Sequence, residues 1–68
     1  MFIVYTEIHK KDSQGNSSVE RWYYGRYEHD KANEVVKQLG NSEMTFHCVC
    51  AEADAEILGI RNIPVYVE

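Results

Sequence analysis

The chain opens with a run dense in β-branched and aromatic residues, Phe2-Ile3-Val4-Tyr5-Thr6-Glu7-Ile8-His9, which predicts a strand over residues 2–9. Its even positions Phe2, Val4 and Ile8 make an apolar face suited to a helix, while Ile3, Tyr5, Glu7 and His9 point the other way. The polar stretch Lys10 to Ser18, with Gly15-Asn16 near its middle, predicts a turn or loop. Val19 to Tyr27 predicts a second strand, and the short connection makes the pair an antiparallel hairpin.

Ala32, Val35, Val36 and Leu39 then fall on one stripe of a 3.6-residue period, which predicts a helix over residues 30–39. Asp30 is its expected N-cap and Gly40-Asn41 its left-handed stop. Met44 to Cys50 alternates as a third strand. Ala51 to Leu58 predicts a short helix, with Asp54 as a possible cap and Gly59 as a stop. Ile60 to Pro64 connects it to a brief final strand, Val65-Tyr66-Val67. Pro64 lacks an amide hydrogen and so suits an edge.

The fold class that follows is α+β: a single β-β-α-β-(α)-β domain over residues 1–68. One main helix packs on a sheet of three or four strands built around the hairpin. A right-handed crossover through the helix places the third strand beside the first, giving the order 2-1-3, with the last strand's place open.

Length and charge narrow the picture. Sixty-eight residues make one small domain, and no stretch is long and apolar enough to span a membrane. Domains of this size bury only about 60% of their unfolded surface, so a self-association surface would help the chain, and a homo-oligomer, most simply a dimer, is expected. The net charge of −4 lies wholly in residues 41–68, where Arg61 faces Glu43, Glu52, Asp54, Glu56 and Glu68. That segment reads as a solvated acidic face, with an acidic patch for a basic partner as the alternative. An acidic chain is a poor general binder of nucleic acid. The opening Met-Phe-Ile-Val-Tyr has no basic n-region and reaches Thr6-Glu7 at once, so it is not a signal peptide, and a cytoplasmic setting with reduced thiols is expected.

Cys48 and Cys50 form a Cys-x-Cys on the third strand. Residues two apart on a strand point the same way with α-carbons roughly 6.6–6.8 Å apart. A disulfide needs β-carbons at about 3.8 Å, so the pair resists closing on itself. His47 points to the opposite face, and zinc wants four ligands, usually presented from a turn. Cys48 and Cys50 are therefore weak metal candidates and are read as core residues, with a thiol or metal site as the alternative function. No cofactor is expected.

Leu58-Gly59-Ile60-Arg61-Asn62-Ile63-Pro64-Val65 resembles the segment that precedes the cis-proline of thioredoxin-fold proteins. That resemblance implies a proline beside a thiol site. The family also carries C-x-x-C at the start of a helix, where the dipole lowers the thiol pKa. Helix 30–39 starts without cysteine, so the likeness is that of a shared helix-to-strand connector.

The aromatics are the most informative residues. Four of the eight (Trp22, Tyr23, Tyr24, Tyr27) crowd the second strand. In a regular strand Trp22 and Tyr24 point one way while Tyr23 and Tyr27 point the other, so one set lies on the face away from the main helix, beside Tyr5. With Arg21 and Arg26 at hand, this face reads as a homodimer or other protein interface. Stacking of single-stranded nucleic acid and simple stiffening of a solvent-facing sheet are the alternatives.

Catalytic signatures are absent: no Gly-rich phosphate loop, no His-x-x-x-His, and Ser13, Ser17 and Ser18 confined to the hairpin loop. The short chain also leaves little volume for a substrate pocket. The expected function is a non-enzymatic, self-associating interaction module.

Overall fold

The computed structural model describes residues 1–64, and its central strand is the run that opens the sequence. β1 (Phe2–Lys11) lies between β2 (Ser17–Tyr27) and β3 (Thr45–Ala51) and is antiparallel to both. The order 2-1-3 is thus the one that the crossover rule gives. The strand predicted over residues 65–67 lies outside the described residues.

The hairpin turn is held by Asp12. Its carboxylate accepts hydrogen bonds from the Gln14 and Asn16 amides at 2.9 and 2.8 Å, and Gly15 takes the positive φ of 85° that lets the chain reverse. Both strands run further into the turn than their apolar residues suggest, because the backbone ladder continues through Lys11 and Ser17.

α1 (His29–Leu39) crosses all three strands on the face of Phe2, Val4 and Ile8. Ala32 is fully buried where it meets this face, and its small side chain lets the helix approach. The helix starts one residue early. Glu28 is the N-cap and makes no side-chain capping bond, while Asp30 sits inside the first turn, where its charge still favours the free amides. The His29 ring meets Phe2 edge-on at 4.9 Å and fixes this end to β1. At the other end Gly40 turns the chain at φ 68°, and its carbonyl accepts a 2.7 Å bond from Nδ1–H of His47 on β3.

The opposite face of the sheet is not bare. After β3, residues 52–60 fold back over Ile3 and Tyr5. The predicted short helix is one 3-10 turn (Glu52–Asp54) followed by a Schellman closure. There Gly59 N–H bonds the Glu56 carbonyl, and Ile60 N–H bonds the Ala55 carbonyl. Gly59 has φ 68°, and Ala55 and Ile60 bury together, as the motif requires. Beyond it the chain meets the outer edge of β2: Arg61 N–H bonds the Arg21 carbonyl at 2.8 Å, and Tyr23 N–H bonds the Arg61 carbonyl at 2.9 Å.

Burial is therefore concentrated on one strand. Ile3, Val4 and Tyr5 are consecutive and all buried, Val4 beneath α1 and the other two beneath the tail. Few other side chains share that environment. Replacing Ile3 by Ala should cost about 2–5 kcal/mol, comparable to the whole stability of so small a domain. Ile57→Ala, at a side chain 83% exposed, should fall within about 0.5 kcal/mol of the parent. Urea denaturation followed by circular dichroism measures both.

Candidate functional site

The aromatic residues do not share one surface, because β2 contains a bulge. Val4 pairs with Gly25 and Tyr5 with Tyr23, which leaves Tyr24 as the extra residue. The bulge reverses the alternation expected beyond it. Tyr23, opposite Tyr5, stays on the tail side, whereas Tyr27, opposite Phe2, joins Trp22 and Tyr24 on the α1 side. The expected pairing of Tyr23 with Tyr27 on one face is thus corrected.

Gly25 belongs to the same arrangement. The Tyr27 ring folds back over it, and a β-carbon there would stand 2.5 Å from the ring.

The face beside Tyr5, where either the short helix or no cover is expected, is covered by the fold-back of residues 52–60. Tyr5 is only 8% exposed and packs with Ile3, Ala55 and Ile60, while Tyr23, Cys48, Cys50, Leu58 and Ile63 pack around them. Arg21 and Arg26 serve the tail. Arg21 bonds Glu7 at 3.2 Å and reaches the Leu58 carbonyl, and Arg26 grips both oxygens of Glu52 at 2.8 and 3.1 Å. Glu52 is thereby a clamp on the sheet rather than one member of a solvated acidic face.

On the α1 side Tyr24 is 47% exposed, with its ring edge-on to His47 at 6.4 Å. Trp22 is half-buried. Its indole N–H donates to Glu20, and the Arg61 guanidinium lies 5.5 Å over its ring, in cation–π range. Arg61 is a member of this cluster that its place in the sequence does not reveal, because it reaches Trp22 only through the tail's path along the edge of β2.

The thiols sit on β3 facing the tail, Cys48 opposite Tyr5 and Cys50 opposite Ile3. Both are unpaired and half-buried, and burial pushes both thiols up from their ordinary pKa. Such thiols are poor nucleophiles near neutrality. His47 is on the other face, His9 is bonded to Glu7 and His29 lies against Phe2, so the histidines and the cysteines are dispersed. Among the described residues no three His, Cys, Asp or Glu side chains cluster as metal ligands.

A hollow of about 530 Å³ opens between the tail and the sheet, floored by Ile3, Ala55 and Ile60 and rimmed by Glu52, Glu56 and Pro64. Neither cysteine lines it, and the Ile63–Pro64 bond is trans, so the connector does not bring its proline to a thiol site. A smaller hollow of about 230 Å³ lies at the hairpin end, where His9, Val19, Met44 and Phe46 extend past the tail.

Comparison with family models, curated proteins and solved structures finds no match to this chain. Among the described residues no helix is long and apolar enough to cross a membrane.

Two ionisable groups report on the tail side of the sheet. The His9 and Arg21 bonds hold the Glu7 carboxyl below its ordinary range. The stabilisation they confer is present above the unfolded glutamate pKa and is lost as pH falls through the lower folded value. Glu7→Gln should therefore be less stable than the parent at pH 7 and converge on it in acid, measured by denaturant midpoints across pH.

Burial, with the neighbouring Cys48, pushes the Tyr5 phenol up to about 12. Between the unfolded value near 10 and this one, only the unfolded chain loses the proton, so stability falls as pH rises, by up to about 1.4 kcal/mol per pH unit. Tyr5→Phe should flatten this alkaline decline, measured by denaturant midpoints across alkaline pH.

Proposed function

We propose that the protein is a non-enzymatic interaction module that works as a homodimer in a reducing, cytoplasmic setting. The observation that carries this reading is the imbalance between core and surface. Among the described residues, only Ile3, Val4, Tyr5, Ala32, Ala55 and Ile60 form the buried apolar set, and Ile3 and Val4 are its only large side chains with no exposure.

The chain exposes 5021 Å², whereas a compact monomer of 7.9 kDa is expected to expose about 4,400 Å². An extent of only 14 Å along the thinnest axis agrees, since a thin plate has little interior of its own. Pairing of two copies would cover apolar surface that the length of one copy leaves open.

Sedimentation equilibrium at micromolar concentration tests this. The expected result is a species of twice 7.9 kDa, together with a thermal midpoint that rises with protein concentration. A monomer at every concentration, with a concentration-independent midpoint, would overturn the reading.

A further inference from the structure

The two edges of the sheet are treated differently. The outer edge of β2 carries a bulge at Tyr24 and the charges of Glu20, Arg21 and Arg26, and Arg61 pairs against it. These are the devices that keep an edge strand from pairing with another chain. The outer edge of β3 has none of them: Thr-Phe-His-Cys-Val-Cys-Ala contains no Lys, Arg, Asp, Glu, Pro or Gly, and its ladder with β1 is regular.

Backbone alternation identifies the groups on that edge. His9 N–H bonds the Met44 carbonyl, so the odd residues of β1 face β3, and Phe46, Cys48 and Cys50 face back to them. Thr45, His47, Val49 and Ala51 therefore present their amides and carbonyls outward. The loop after α1 caps the first of these. Ser42 N–H bonds the Thr45 carbonyl at 2.9 Å, and the Asn41 side chain accepts from His47 N–H at 3.0 Å. Among the described residues nothing bonds the His47 carbonyl, the Val49 amide and carbonyl, or the Ala51 amide.

This remaining set is self-complementary. A second copy related by a two-fold axis at Val49 runs antiparallel to the first, and the two Val49 residues exchange both hydrogen bonds. Each Ala51 amide then meets the His47 carbonyl of the other copy, while the reciprocal bond from His47 N–H to the Ala51 carbonyl is not made, because Asn41 already holds that amide and the Ala51 carbonyl opens the 3-10 turn. The strand also ends at Ala51. The strand itself is uncharged, so the paired segment sets no like charges against each other.

Resting on the homodimer reading above, we infer that a second copy of this chain pairs edge to edge along β3 in the Val49-centred antiparallel register, joining the two sheets into one. The register has a consequence for the cysteines. Their amides point away from the partner, so Cys48 lies opposite Cys50 of the second copy as a non-hydrogen-bonded pair, with α-carbons about 4.5 Å apart. That is within disulfide range. The Cys-x-Cys that cannot close within one strand is thus spaced to meet its own copy.

Ala51→Pro tests the edge. Ala51 has φ −64°, which proline adopts without strain, and its amide makes no bond within the chain among the described residues. The variant should keep the circular dichroism of the parent yet sediment as a monomer. If it remains a dimer, the edge is wrong while self-association stands. A parent that is itself monomeric overturns the underlying reading instead.

Cysteine mixing tests the register, with diamide as oxidant accepting the two thiol hydrogens for each disulfide formed. Neither Cys48→Ser nor Cys50→Ser alone should cross-link, whereas the two mixed should give a reducible dimer. Cross-linking of either variant alone, or none in the mixture, overturns the Val49-centred register.

Discussion

Everything in this domain hangs on β1 being covered on both faces at once. Ile3, Val4 and Tyr5 are neighbours in sequence, so their side chains alternate, and burying all three requires one layer above the sheet and another below it. α1 supplies the first and the fold-back of residues 52–60 supplies the second. Neither layer is large. The helix contributes one fully buried residue, Ala32, and the tail contributes Ala55 and Ile60. A sheet of three strands with thin layers on both sides has a high ratio of surface to interior, and polar clamps must supply part of what apolar contact does not.

Those clamps explain why the charges stand where they do. Glu7 draws His9 and Arg21 together, Arg21 continues to the Leu58 carbonyl, and Arg26 holds Glu52 at the point where the chain leaves β3. The acidity of the last part of the chain is therefore partly spent in binding the tail to the neutral hairpin. On the other face the bulge at Tyr24 makes a different adjustment. It turns Tyr27 toward α1, where its ring covers Gly25, and leaves Tyr24 projecting beside His47. The tail side is spared a further large aromatic beside Ile3, which lets a short and mostly small-residue segment lie close.

The hairpin, the main helix and the strand order were legible because each rests on a local pattern with a direct physical meaning: β-branched runs, a 3.6-residue apolar stripe and a crossover rule. The aromatic arrangement was not, because a bulge depends on the pairing of two strands and leaves no mark in the alternation of one. The tail was legible in its Gly59 stop but not in its role. Its residues Ala55 and Ile60 gain meaning only when Ile3 and Tyr5 lie beneath them, and Arg61 reaches Trp22 only because the chain returns along β2. Sequence reasoning gave the two arginines to an interface, whereas long-range pairing gives them to the tail.

The Cys-x-Cys shows how one spacing can be inert in one context and apt in another. Within a strand, side chains two apart are held parallel and too distant to bond, so packing against Ile3 and Tyr5 accounts for both thiols in a single copy. What a lone strand cannot do, an antiparallel copy can, since inverting the strand exchanges the two positions. The capping by Asn41 and Ser42 gives that inversion its direction, for it occupies the His47 amide and the Thr45 carbonyl and leaves an uncapped set centred on Val49. A domain short of interior, with one edge guarded and the other uncharged and half-capped, has its cheapest route to further burial along that second edge.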